Sequence, residues 1–188
     1  MATLKQGMNI GKILLCVALL VFSINLNILY EIEMIPINYV LDRRQEKEKQ
    51  CIVEALHYEA RGEGKKGLEA VLSVIYNRKH HRAFPSTFCK VIDQPKQYSY
   101  RNHLAQGQRI KVEFKPSEKE VQKEIHELAE KAVTGRFKPM FDRSVLWYHT
   151  HKVKPKWSRK MQKVAVVGNH KFFEEKINQR VNSKEKES

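Results

Sequence analysis

The chain has 188 residues, and its 35 Lys and Arg against 21 Asp and Glu give a formal charge of +14. Its 41% hydrophobic content is enough for a core and excludes a wholly disordered chain, while three cysteines without a CxxC pair exclude a disulfide-built miniprotein and a zinc ribbon. A sequence pI of about 9.7 calls for an anionic partner: nucleic acid, a membrane surface or an acidic wall polymer.

Residues 1–30 contain Lys5 and Lys12 and no acid; the first is Glu31. The 18 uncharged residues from Ile13 to Tyr30 follow directly. As a helix they span about 27 Å, against a hydrocarbon core of about 30 Å. A basic flank before an apolar run fits a secretion signal or an anchor with its N-terminus inside. No small-residue cleavage site follows Phe22, which favours an uncleaved signal-anchor, although Asn25 and Asn27 weaken the second half of the span. A buried core helix would leave the lysines and the missing acids unexplained. The expectation is therefore export, with the membrane as a partner through the N-terminal helix and nucleic acid excluded as one.

Residues 31–47 read as a linker that ends in the charged run Arg43–Lys47. A helix is predicted from about Glu48 to Ala60, with Ile52, Leu56 and Glu59 on one face, and Gly62 and Gly64 end it. A second helix fits Lys66 to about His80, with Leu68, Val71, Leu72 and Ile75 on one face. Phe84-Pro85-Ser86 breaks it, and Val91 to Arg101 reads as irregular. Ser117 and Glu120 form a capping-box pattern for a third helix with the stripe Val121, Ile125, Leu128 and Ala132, closed by Gly135. Two β-like pieces follow, Val145–Thr150 and Val164–Val167, and residues 174–188 read as a charged, frayed tail. The fold class is α+β, dominated by helix.

Glu59 shares its helix face with Ile52 and Leu56, so its carboxyl points to the core or to a cleft floor. Burial raises a carboxyl pKa, and a carboxylic acid kept protonated near neutral pH is a usable general acid. The competing reading is a structural ion pair with Arg61, Arg78 or another base.

His57-Tyr58-Glu59-Ala60-Arg61-Gly62-Glu63 resembles the Y-x-E-A-R-G-E signature of the SleB/CwlJ-type cell-wall hydrolases, which include spore cortex-lytic enzymes and phage lysins. The likeness continues through Gly67, Ala70-Val71, Asn77-Arg78, Phe84-Pro85, Cys89, Val91 and Gln97-Tyr98-Ser99. It resumes with Trp147-Tyr148-His149, Val153, Pro155, Trp157 and Gly168 to Phe173. The resemblance implies a lysozyme-like domain over about residues 48–173, similar to lytic transglycosylases that cut the MurNAc–GlcNAc β-1,4 bond of peptidoglycan. Glu59 matches the family's catalytic acid, and Glu63, Gln97, Tyr98, Tyr148 and His149 are expected to bind substrate. This sequence departs from the family's pattern at Tyr98, Phe173 and Val145-Leu146, where Phe, Tyr and a small-residue pair are usual.

A lytic transglycosylase needs one carboxyl, whereas hydrolysing glycosidases usually use two. Glu63, Asp93 and Asp142 are the candidates for a second, and none is strong. No cofactor and no metal are expected. The alternatives are a zinc amidase built on His149, His151 and His170, a cysteine peptidase using Cys51 with His149, and a non-catalytic, membrane-tethered wall-binding protein. In an oxidising compartment Cys51 and Cys89 can instead form a disulfide. The stretch 136–163 holds nine Lys and Arg against Asp142 alone, interleaved with Trp147, Tyr148 and Trp157, which suits an anionic glycan or lipid head groups. The sequence carries no signal of oligomeric state.

Overall fold

The computed structural model describes residues 10–33 and 37–176, with side chains described at 11, 13–25 and from 40 onward. The chain divides into two units, residues 1–44 and 45–188, and the division falls inside a helix. In the first unit the apolar run lies in helix α1, Ile10–Glu33, where Leu14, Leu15, Val17, Leu19, Leu20 and Phe22 are exposed. Among the described residues no helix is long and apolar enough to cross a membrane. The whole expected span from Ile13 to Tyr30 lies in this helix, and its side chains are described as far as Asn25.

Helix α2 is Ile37–Ala60, so it starts eleven residues before the expected Glu48 and runs through most of the presumed linker. The charged run lacks an apolar stripe, but Arg, Gln, Glu and Lys are good helix formers. Lys49 also pairs with Glu46 at 3.8 Å one turn away, and the Gln50 amide donates to Glu46.

In the second unit α3, Gly64–Lys79, is buried on nearly every side, and its Leu68, Val71, Leu72 and Ile75 form the middle of the core. Around it pack Ile52 and Leu56 of α2, Phe88, Val91 and Ile92 of α4 (Phe88–Ile92), and Ile125, Leu128 and Ala129 of α5 (Lys119–Val133). The bond that caps this last helix comes two residues earlier than the sequence pattern suggests. Pro116–Glu118 is a 3-10 turn, and the Glu118 carboxylate accepts the Lys115 N–H at 2.9 Å. Cys51 and Cys89 form a disulfide that ties α2 to α4 across 38 residues. By loop entropy, closure of this length is worth about 4 kcal/mol.

The chain ends its fold in an antiparallel sheet of order β1-β3-β2, built from β1 Val145–Thr150, β2 Met161–Val167 and β3 His170–Glu175. Strand β3 takes in Glu174 and Glu175, which the sequence assigned to the tail. Its Phe172 is fully buried and pairs with Tyr148 on one side and Ala165 on the other, so β3 fastens the sheet to the core.

A buried ion network stands beside α2. Glu54 is 1% exposed, and its carboxylate binds the Arg101 guanidinium, accepts the Ile110 N–H at 3.1 Å and lies 3.7 Å from Arg109. Asp93 completes the network on Arg101 at 2.8 Å and on Arg109.

Candidate active site

Glu59 sits in the last turn of α2, which stops at Ala60. The Glu63 N–H closes the turn on Ala60 O at 3.0 Å, and Gly64, with φ +67, launches α3 in a new direction. This reversal leaves the Glu59 carboxyl facing β1. There the Tyr148 hydroxyl donates to Glu59 Oε2 at 3.3 Å. Burial is the main influence on this carboxyl and pushes its pKa from 4.5 up to about 7, with the Tyr148 bond pulling weakly the other way. The Tyr148 bond occupies one oxygen and leaves Oε1 to carry a proton.

Glu59 opens into a cavity of about 740 Å³, whose wall includes Arg78, Gln97, Asn102, Trp147, His149 and Trp157. Among the described residues Glu59 is its only acid. One wall is aromatic: Trp157 lies 5.8 Å from Trp147 and 5.6 Å from His149, and His149 stacks on Phe173 at 4.9 Å. Flat apolar faces beside hydrogen-bonding groups suit the faces and hydroxyls of sugar rings.

Of the residues expected to bind substrate, Gln97, Tyr148 and His149 line this cavity beside Glu59. Tyr98 does not. It is 2% exposed, packed in the core beneath the cavity, and burial pushes its phenol up to about 12. Glu63 is also elsewhere: its carboxylate accepts the Asn169 N–H at 2.7 Å and the Asn169 side-chain amide at 2.9 Å. Burial works against its charge, but the two Asn169 bonds and the neighbouring His170 and His151 hold the carboxyl below its ordinary value. A Cβ at Gly67 or Gly168 would collide with the Glu63 side chain, and Gly168 also holds φ +54. Glu63 therefore clamps the β2–β3 turn onto the turn that follows Glu59, and it is not among the residues that line the cavity.

The other candidates for a second carboxyl are also absent from the cavity wall. Asp93 is held by Arg101 and Arg109, and the Asp142 backbone carbonyl accepts from Asn77. Among the described residues no group of three His, Cys, Asp or Glu is placed to hold a metal ion. His149 Nδ1 contacts the Thr150 carbonyl oxygen and His151 Nε2 that of Gly168, at 2.8 and 3.3 Å. Cys51, joined to Cys89, has no thiol to act as a nucleophile.

Five polar residues of the cavity wall had no substrate-binding role assigned from sequence: Arg78, Lys96, Ser99, Asn102 and Thr150. Arg78 was marked by the resemblance and as a possible ion-pair partner of Glu59, and among the described residues that pair does not form. Lys96 carried one local signal, the preceding Pro95, which predicts a turn.

The family model for cell wall hydrolases matches residues 62–173, more than half of the chain. The chain belongs to the cell wall hydrolase family. It is a SleB/CwlJ-type enzyme that cleaves peptidoglycan. The matched segment begins three residues after Glu59, so the place of that carboxyl rests on the cavity geometry. Two solved structures share the fold. The catalytic domain of the Bacillus cereus SleB protein aligns with a TM-score of 0.52 and 22% identity, covering 69% of this chain and 91% of that one. The catalytic domain of the germination-specific lytic transglycosylase SleB from Bacillus anthracis aligns with a TM-score of 0.50 and 23% identity, covering 68% and 94%. No curated protein matches the chain.

Proposed function

We propose that this cell wall hydrolase cuts the MurNAc–GlcNAc β-1,4 bond as a lytic transglycosylase, with Glu59 as both acid and base. The observation that carries the reading is a cavity with a desolvated carboxyl and, among the described residues, no second acid on its wall. The Glu59 carboxyl gives its proton to the glycosidic oxygen as the C1–O bond breaks, and the GlcNAc leaves as an alcohol. Positive charge develops at C1 of the muramoyl ring. The carboxylate then removes the proton of the muramoyl 6-hydroxyl, whose oxygen closes on C1 to form a 1,6-anhydro ring. Glu59 is protonated again at the end, and no water is consumed. An inverting or retaining hydrolase would need a second carboxyl within about 5–10 Å. Gln97, Tyr148 and His149 hold the strand, with Trp147 and Trp157 as its platform.

The same reading extends to location. The N-terminal helix tethers the enzyme to the inner membrane, and the catalytic unit works outside the cytoplasm in wall lysis or remodelling. The Cys51–Cys89 disulfide supports an oxidising compartment.

Mass spectrometry of purified sacculi digested by the full chain tests the reaction. Anhydro-muropeptides that disappear with Glu59→Gln and persist in EDTA are expected. Products with reducing ends would make the enzyme a hydrolase, and free stem peptides would replace the glycosidase reading with an amidase or peptidase.

A further inference from the structure

We propose that Arg78 and Lys96 form an anion site in the Glu59 cavity, which takes a carboxylate carried by the glycan strand. The inference rests on the glycan-cleaving reading and adds what part of the strand the cavity selects.

Arg78 is buried at 4% exposure, yet every partner it has is neutral. Its Nε donates to the Leu146 carbonyl at 2.7 Å and its Nη1 to Gln97 Oε1 at 2.7 Å, and the rings of Phe84 and Trp147 each lie 5.3 Å from its Cζ. Among the described residues no carboxylate comes within 4.0 Å of its guanidinium. Buried charges are ordinarily paired, and Arg101, the other buried arginine among the described residues, holds both Glu54 and Asp93. Arg78 instead faces the cavity that contains Glu59. Its neutral partners orient the guanidinium without cancelling its charge.

Lys96 brings a second cation to the same wall, and the backbone there is strained to do so. The turn Gln94–Gln97 closes with the Gln97 N–H on Gln94 O at 3.3 Å, with Pro95 in its second position and Lys96, at φ 61, in its third. That third position ordinarily takes Gly or Asn. Among the described residues Lys96 is the only non-glycine with positive φ. Strain of this kind persists where a side chain is needed, and the ammonium of Lys96 also has no carboxylate within 4.0 Å among the described residues.

The charge balance of the cavity points the same way. Its one acid must be protonated to start the reaction, so the armed enzyme presents two fixed cations and no fixed anion. A ligand carboxylate supplies the missing charge, with Ser99 and Asn102 on the same wall as further donors. It would also hold the Glu59 carboxyl in its protonated form by repulsion. A peptidoglycan strand offers such a group in two places: the lactyl carboxylate of a muramoyl residue whose peptide has been removed, and the carboxylates of the stem peptide.

Four substrates separate these sources: denuded strands, peptide-bearing strands, and copies of each with the carboxyl groups amidated. The rate of new chain ends is read by mass spectrometry with the full chain in detergent. Wild type is expected to prefer carboxylate-bearing over amidated strands by about tenfold in kcat/KM. Lys96→Gln should reduce that ratio about threefold, and Lys96→Glu should bring it to about one or below. The preference should shrink with added salt. Lys123→Gln, on the outer face of α5, is the control and should leave the ratio in place. These variants sit on the surface, so the test does not depend on the fold tolerating a change at buried Arg78. A ratio above one on denuded strands alone identifies the lactyl group, and on peptide-bearing strands alone the stem. Cleavage with a ratio near one, or a ratio that neither Lys96 variant moves, overturns the inference and leaves the glycan-cleaving reading standing. No product from any strand overturns both.

Discussion

Glu59→Gln is expected to lower kcat by about a thousandfold, within the 10²–10⁴ range of general acid–base catalysis, and at the same time to make the protein more stable above pH 7. The two effects have one cause. A carboxyl whose pKa is raised to about 7 binds its proton in the folded state at pH values where the unfolded chain has released it. Between about pH 4.5 and 7 the folded state therefore holds more protons, and stability falls as pH rises across that window. Above it the full penalty of a buried carboxylate remains, and an uncharged glutamine removes it, a gain of about 1–3 kcal/mol. A structural ion pair predicts the reverse sign, because removing one partner strands the other. Thermal unfolding of both proteins at pH 5 and pH 8, beside their turnover of sacculi, checks this. Equal or lower stability of Glu59→Gln at pH 8 would return Glu59 to a structural role.

Glu54→Ala carries the largest expected loss of stability. The side chain is 1% exposed and contacts Arg101, Arg109 and the Ile110 backbone. Truncation leaves Asp93 as the one carboxylate shared by both arginines and the Ile110 N–H without its acceptor, at a cost of about 3–5 kcal/mol. For a domain whose whole stability is about 5–15 kcal/mol, that is a large share. Urea unfolding should show a lower midpoint with an unchanged slope. A shift equivalent to less than about 1 kcal/mol would mean that Asp93 alone satisfies both arginines.

Glu59 and Glu54 differ sharply in how visible they are in the sequence. Glu59 continues the face of Ile52 and Leu56 and stands in a recognisable motif, so helical period and resemblance both mark it. Glu54 is marked by neither, since α2 is buried on every side from Cys51 to His57 and a single-face reading misses half of that surface. Its partners Arg101 and Arg109 come from a distant part of the chain, and only the tertiary structure brings them to it. Tyr98 misleads for a local reason. Its backbone is extended, at φ −128 and ψ 125, so consecutive residues point to opposite sides. Gln97 and Ser99 reach the cavity while Tyr98, between them, enters the core. Glu63 misleads because the motif places it next to the acid, whereas the turn at Gly62 to Gly64 swings it onto Asn169. The early start of α2 was hidden by a charged run without an apolar stripe. Strand β3 was hidden because a strand is defined by its neighbours, and β1 and β2 lie on either side of it.

The claim on which the account depends most is that the Glu59 carboxyl is protonated near neutral pH. A ¹³C titration of the glutamate carboxyls, with Glu59 assigned by its loss in Glu59→Gln and run beside the pH profile of kcat, measures it directly. The account predicts a midpoint at about 7 and a fall in kcat through the same pH as the acid is lost. A Glu59 titration near the ordinary value of 4.5, with kcat indifferent to it, would contradict the account.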